Sequence, residues 1–168
     1  HSSTGGTSNN LVMGSTDIGN TTGNTVLTSS GAITGDTGTV KGNNVTLSSI
    51  QGVGTSVTRV KTEAATLAAK SATANGVYVS EANAVTLATI GAVANSAVGT
   101  YDLTAAGTVT VGTDGVNTTT ASDTTLASTG GTGNNQIGSA TRTSRQWVWA
   151  NRTRVKTAVK TLAAKSAT

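Results

Sequence analysis

Few side chains in this sequence are of the types that carry out enzyme chemistry. The only histidine is His1 and there is no cysteine, which argues against Ser-His-Asp or Cys-His catalysis and against zinc or thiolate sites. Paired carboxylates can hydrolyse glycosides on a β-helix scaffold, and Asp102, Asp114 and Asp123 are the candidates for that role. Acids this scattered are more typical of solvated turns, and Asp114-Gly115 is a turn dipeptide. We therefore expect that the protein is not an enzyme.

Loops that bind phosphate or calcium are also missing from the sequence. There is no G-x-x-x-x-G-K-[ST] loop, and the Gly-rich stretch 130–135 has no strand-then-helix frame around it, so phosphate binding is not expected. No Asp-rich loop has the spacing of an EF-hand or of a calcium-binding nonapeptide. We expect no cofactor and no metal.

Positive charge is concentrated in the C-terminal segment. Seven of the eleven Lys and Arg residues follow position 141, and none of the seven acidic residues does. Such a segment can dock an anionic surface, a polysaccharide or nucleic acid, or meet the acidic body of the next subunit. It can equally be a solvated face that keeps a fibre soluble and blocks edge pairing. The residues predicted to make an assembly or anionic-partner contact are Arg142, Arg145, Trp147, Trp149, Arg152, Arg154 and Lys156.

Trp147 and Trp149 are separated by one residue, so both indoles lie on the same side of the chain if it is extended. Exposed Trp is typical of protein interfaces, and this pair could anchor a partner. The alternative is that both rings pack in the core or cap an open end of the fold.

The composition favours a thin core. The 168 residues include 21 Gly, no Pro, no Phe and only two Trp and two Tyr, and 11% are charged. A globule of this length normally buries several large rings, whereas Val, Ile, Leu, Ala and Thr methyl groups suit a shallower interior. Tracts of Gly, Ser, Thr and Asn also fit disorder, and we expect residues 1–23 to form a flexible or capping arm. No apolar run is long enough for a membrane span.

Internal repetition is the strongest signal in the sequence. Leu27, Leu47, Leu67 and Leu87 follow one another at intervals of 20 residues. The stretches 43–53 and 83–93 share the pattern N-x-V-T-L-x-x-I-x-x-V. The alternation of apolar and polar residues in V-T-L predicts a half-buried strand.

A second repeat joins distant parts of the chain. Residues 58–73 and 153–168 are identical at 13 of 16 positions, at an offset of 95. The Ala-rich parts of the two copies, 62–72 and 152–165, are compatible with helix as well as with strand. We favour strand, because Leu67 keeps the 20-residue spacing.

A unit of about 20 residues holds two short strands and two turns, and it buries too little surface to be stable alone. Stacked units share a continuous interior, with strands about 4.8 Å apart. We therefore predict an all-β fold, a parallel β-solenoid of about 20-residue coils over residues 24–138. A basic segment at 139–168 would begin a further repeat. Turns that need positive φ are expected at Gly76, Gly91, Gly107 and Gly115.

The stretches NGVYVSEANAVTLATIG (75–91) and GTVTVGTDG (107–115) resemble the repeats of filamentous-haemagglutinin-like adhesins and of giant bacterial surface proteins of that kind. The resemblance covers roughly residues 24–130. It implies a right-handed parallel β-helix that serves in adhesion or surface coating, and it implies no catalytic residues. Residues 139–168 depart from the pattern.

These observations lead to the hypothesis of a structural or adhesive repeat protein that forms a bacterial extracellular filament or surface fibre. Coil stacking and end-to-end contacts between subunits would build the filament. We expect its partner to be itself, as a homopolymer or within a longer parent chain, together with an anionic surface or polysaccharide. We expect no specific nucleic-acid partner and no transmembrane span. Because the chain begins with His1, we expect a processed chain or a fragment.

Three alternatives stay open. One is a carbohydrate- or surface-binding β-helix module of the tail-fibre or trimeric-stalk type. A second is a functional amyloid in which identical chains pair in register. The third is an enzyme on a β-helix, such as a polysaccharide lyase, which would need acids and bases clustered on one face.

Overall fold

The computed structural model describes residues 2–3, 9–118, 122–129, 136–137, 146–150 and 162–166, and over these residues it contains strands, bends and turns but no helix. The strands are β1 (Ser2–Ser3), β2 (Leu11–Val12), β3 (Ile18–Gly19), β4 (Asn24–Ser29), β5 (Ile33–Thr34), β6 (Thr39–Ser49), β7 (Val60–Ser71), β8 (Val77–Glu81), β9 (Val85–Leu87), β10 (Ser96–Ala97), β11 (Tyr101–Ala105), β12 (Val109–Val111), β13 (Asn117–Thr118), β14 (Thr124–Ser128), β15 (Gln136–Ile137), β16 (Gln146–Ala150) and β17 (Leu162–Ser166).

Every pairing between these strands is parallel, and the pairs join strands of successive coils. The coils stack as a β-solenoid of about five turns, with a spacing of about 22 residues. The predicted fold class is therefore confirmed, with coils slightly longer than the predicted 20 residues. The added length lies in the turns, as the register of the leucines shows.

The core consists of columns of inward-facing side chains that run along the stack. In strands such as Tyr101–Ala105 and Thr124–Ser128 buried and less buried residues alternate, because successive side chains of a strand point to opposite faces. One column joins Val79, Leu103 and Leu126, and another joins Val45, Leu67, Leu87 and Val111. Their exposure is 3% or less. Because each coil is closed only by its neighbours, the interior exists only in the stack.

The evenly spaced leucines are register partners within two pairs of coils, but not between those pairs. Leu27 pairs with Leu47, and Leu67 pairs with Leu87. Leu47, however, pairs with Ala69. The cause is the turn of the third coil, where the chain takes nine residues from Val53 to Thr62 but seven from Ile33 to Val40 in the coil before.

The two copies of the V-T-L pattern, which lie 40 residues apart in the sequence, do not stack on each other in register. Val45 pairs with Leu67, and Leu67 pairs with Leu87, so the residue aligned with Val45 two coils later is Leu87 and not Val85. The ends of the copies also differ. Val53 forms bridges with the coils before and after it, whereas Val93 bridges back to Ile90 in an antiparallel turn. The sequence repeat is therefore shifted by two residues from the structural repeat.

In the repeat whose copies lie 95 residues apart, most of the first copy (58–73) is a strand. Residues 62–71 belong to β7, which confirms the strand prediction there, and buried positions recur along the whole strand. In the second copy, Leu162–Ser166 is also a strand, while residues 152–161 lie outside the described residues. Leu67 pairs with Val45, but Leu162 pairs with Gln146. The same Leu-Ala-Ala-Lys-Ser sequence thus occupies two different sides of the coil.

Three of the four glycines predicted at special turns have positive φ: Gly76 (76°), Gly91 (59°) and Gly115 (68°). Gly107 does not. A Cβ at Gly107 would lie 2.4 Å from the backbone nitrogen of Ala84, so this position needs glycine because two coils approach closely there.

Residues of the predicted N-terminal arm pair with the coils that follow. β1 pairs with β4, β2 with β5, and β3 with β6. Met13 is buried in the core. The domain boundaries at 23/24 and 138/139 stay predictions.

Candidate functional site

The outer side of β8, β11 and β14 carries two parallel columns of residues, and the register extends both columns to β16. The register aligns Tyr78, Asp102, Thr125 and Trp147 in the first column, and Ser80, Thr104, Ala127 and Trp149 in the second. In β8, β11 and β14 the side chains of both columns are half-exposed. The backbone register pairs Trp147 with Thr125, Val148 with Leu126 and Trp149 with Ala127.

The other residues predicted for an assembly or anionic-partner contact, namely Arg142, Arg145, Arg152, Arg154 and Lys156, lie outside the described residues. Their role, and that of the two tryptophans, stays a prediction.

Arg59 forms a clamp across the outside of β8. Its guanidinium donates to both carboxylate oxygens of Asp102, at 2.6 Å from Nη2 to Oδ2 and 3.1 Å from Nη1 to Oδ1. Nη1 also lies 3.3 Å from the carbonyl oxygen of Val79, in the coil between them. The pair is half-buried, with 25% and 19% of the side chains exposed. This two-pronged geometry ties together three successive coils.

A second charge ladder runs along the same side of the solenoid, in earlier coils. Lys41 Nζ lies 2.9 Å from Asp17 Oδ2 and 3.4 Å from Glu63 Oε2, so one cation bridges acids from the coils on either side. The hydrogen bond from Lys41, followed by that from the Thr39 amide, lowers the pKa of Asp17. The hydrogen bonds to Asp17 and then to Glu63 raise the pKa of Lys41.

Next to this ladder, an open groove of about 350 Å³ follows one corner of the solenoid. Its floor consists of small residues, Gly42, Ala64, Ala65 and Ala84. Its polar lining consists of Thr21, Glu63 and Asn83. Gly42 and Ala64 are register partners in adjacent coils, so the groove runs along the stack and exists because each coil turns this corner on a small side chain.

Beneath the groove lies the carboxylate of Glu81, which is only 2% exposed. It accepts hydrogen bonds from the Thr62 hydroxyl (2.7 Å to Oε2), from the Ala64 amide (3.2 Å to each oxygen) and from the Asn83 amide (3.1 Å to Oε1). Burial raises the pKa of Glu81, and these hydrogen bonds oppose the rise. Two backbone amides of the groove lining, those of Ala64 and Asn83, are therefore held from within.

On another side of the coil, Asn95 replaces a missing strand. The chain leaves the coil after Leu87 and returns at Ser96, so Ala68 and Ala69 of β7 have no strand partner on that side. The Asn95 carboxamide fills the gap. Its Oδ1 accepts from the Ala69 amide (2.9 Å), and its Nδ2 donates to the carbonyl oxygens of Leu67 (3.1 Å) and Ala88 (3.2 Å).

The three acids considered for catalysis do not come together. Asp102 is held by Arg59. Asp114 precedes the Gly115 turn, and Asp123 is exposed. Within the described ranges, no three His, Cys, Asp or Glu side chains form a group that could hold a metal ion.

The sequence reading missed Arg59, Lys41, Glu81 and Asn95. For Glu81 there was a signal, because Val77, Val79 and Glu81 alternate and the glutamate therefore falls on the inward side. No comparable pattern marked Arg59, whose acid partner is 43 residues away.

No helix in the described part of the chain is long and apolar enough to cross a membrane. In comparisons with known proteins, no family model, no curated protein and no solved structure matched this chain. The similarity to filamentous-haemagglutinin-like adhesins therefore stays a prediction, and function is inferred from the geometry alone.

Proposed function

We propose that this chain is a structural segment of an extracellular fibre or surface adhesin, in which stacked coils form a stiff rod. The observation that carries the proposal is the continuity of the buried columns. Val45, Leu67, Leu87 and Val111 belong to four different coils, yet each is sealed by its neighbours in the column. Coils of this kind add to one another without any change of geometry, as in other solenoid repeats.

The bonds between coils also favour a mechanical role. Side chains reach from coil to coil as well as the backbone, in the Arg59 to Asp102 clamp, in the Asp17, Lys41 and Glu63 ladder, and between Asn44 Nδ2 and Asn24 Oδ1 at 2.9 Å. These contacts run along the axis of the stack, so they resist its extension and bending. They do not converge on a point where a substrate could react.

Self-assembly is the partner interaction that follows from this role. Strand edges in a parallel solenoid present unpaired amides and carbonyls that can pair with another chain. Copies joined in that way would continue the column pattern. An extracellular, cell-surface location is part of the proposal, and it rests on the repeat pattern of the sequence.

Sedimentation velocity over a dilution series, combined with negative-stain electron microscopy, tests the proposal. We expect particles of constant width whose length increases with concentration. Val57, which is 91% exposed, provides a control, because Val57→Ser removes an exposed apolar contact without touching the coil interior. Axial assembly should survive this substitution. Compact monomers at every concentration, or association abolished by Val57→Ser, would contradict the proposal.

A further inference from the structure

The corner groove has unused hydrogen-bonding groups along its walls. The Thr21 hydroxyl and the Asn83 carboxamide have no partner among the residues that the structure describes. Glu63 lies 3.4 Å from Lys41 through Oε2, which leaves Oε1 available. These three side chains come from the first, third and fourth coils, so they span three strand spacings of about 4.8 Å, or about 14 Å along the axis.

The floor of the groove is already fixed. The amides of Ala64 and Asn83 donate inward to Glu81, and Gly42 pairs with Ala64 in the ladder between adjacent coils. A peptide that bound by adding a strand would need free backbone groups, and these amides are occupied. A strand-like peptide is therefore not the ligand that fits.

The lining also argues against apolar and charged ligands. Its residues include no aromatic ring and no large aliphatic side chain, whereas sites for apolar small molecules are lined mainly by such groups. Around Lys41 stand two acids, Asp17 and Glu63, so the local charge is negative and repels anions.

We propose that this corner groove is a binding site for a neutral, hydroxyl-rich ligand, a short glycan that lies along the solenoid axis. Sugar hydroxyls both donate and accept hydrogen bonds. The free Glu63 oxygen would accept from a hydroxyl, the Asn83 carboxamide would donate and accept, and the Thr21 hydroxyl would do either. The small floor lets the rings approach the backbone closely. This site goes beyond the role of a structural rod, and either could hold without the other.

Titration of the full chain with neutral oligosaccharides tests the site. The probes are hexamers of glucose in α- and β-linkage, of mannose and of N-acetylglucosamine, with an oligogalacturonate as the anionic arm, and binding is followed by NMR shifts and calorimetry. We expect millimolar or tighter binding of at least one neutral hexamer and weaker binding of the anionic one.

Two pairs of variants locate the binding. Asn83→Ala removes a side chain with no structural partner, and we expect it to weaken binding about tenfold, the effect of one or two lost hydrogen bonds. Asn117→Ala, an exposed asparagine outside the groove, is its control. Ala65→Leu should obstruct the groove, while Ala72→Leu places the same group at another exposed corner. Circular dichroism checks that all four variants fold.

No binding of any neutral hexamer would overturn the proposal. So would binding that Asn83→Ala and Ala65→Leu leave unchanged, or a preference for the anionic oligomer. None of these results would affect the assembly measurement, so failure of the glycan site and failure of the rod are distinguishable.

Discussion

The hydroxyl of Tyr101 donates a hydrogen bond of 2.7 Å to Oδ1 of Asn95, inside the solenoid and away from solvent. Tyr101 has no exposed surface and Asn95 only 1%. Burial raises the pKa of Tyr101, so the phenol remains a neutral donor. Through this bond, the polar side chain that closes the gap beside β7 is held by the next coil.

Loss of Asn95 should be costly. Asn95→Ala leaves the Ala69 amide, the Tyr101 hydroxyl and two carbonyl groups with fewer partners, and each unsatisfied buried group costs about 1–3 kcal/mol. We expect a loss of about 3 kcal/mol in the free energy of unfolding, and about 1 kcal/mol for Tyr101→Phe, which removes one donor only. Urea denaturation measures both. Equal effects of the two substitutions would show that Asn95 does not act as the substitute for a strand.

The buried carboxylate of Glu81 predicts an unusual pH dependence. Because its pKa is raised in the folded chain, the folded state binds a proton more tightly than the unfolded state. This group's contribution to stability therefore grows as the pH falls through the raised pKa towards the ordinary value of 4.5, and declines as the pH rises.

Comparison of the wild type with Glu81→Gln over pH 8 to 4.5 isolates the effect, because the other acids titrate equally in both proteins. We expect the wild type to gain stability relative to the variant as the pH falls. Parallel curves for the two proteins would mean that the carboxylate keeps its ordinary pKa when folded.

Much of the architecture could be predicted from the sequence, because inward and outward residues alternate strongly in V-T-L and V-Y-V. The register could not. It depends on turn length, and two extra residues between Val53 and Thr62 shift every later coil. The groove was equally hidden, since it arises from small residues such as Gly42 and Ala84 that meet only when coils stack. Alternation reports which side a residue faces, but not which residue it meets.

Thr73 offers a test by stabilisation. Its hydroxyl is buried and has no hydrogen-bond partner in the described part of the chain. Thr73→Val keeps the shape and removes the unpaired polar group. We expect a gain of about 1 kcal/mol in the free energy of unfolding. The thermal midpoint reports it, and a loss of stability would indicate that the hydroxyl has a partner in solution.

Gly76 and Gly91 separate two costs of adding a methyl group. Both have positive φ, but a Cβ at Gly76 would lie 2.4 Å from the Thr100 carbonyl oxygen, whereas at Gly91 it would meet nothing within 4 Å. Gly91→Ala should cost about 1 kcal/mol, the cost of left-handed backbone. Gly76→Ala should cost several times more, since coils must move apart. Similar unfolding free energies for the two variants would contradict the close stacking of these coils.

The Arg59 to Asp102 clamp should contribute measurably to stability. Because the pair is half-buried and makes two parallel hydrogen bonds, a double-mutant cycle with alanine at both sites should give a coupling of about 1 kcal/mol. The same cycle on Lys41 and Asp17, whose side chains are more exposed at 32% and 48%, is the control, and it should give a smaller and more salt-sensitive coupling. Zero coupling between Arg59 and Asp102 would show that the ion pair does not stabilise the fold.

Diffraction from aligned filaments tests whether this chain builds a rod by stacking coils. In such a rod the strands lie across the long axis, so the reflection at about 4.8 Å should fall along the fibre axis. We expect that reflection from filaments of uniform width. Filaments without it, or a purified chain that forms no filament at any concentration, would show that the coils do not stack into a rod.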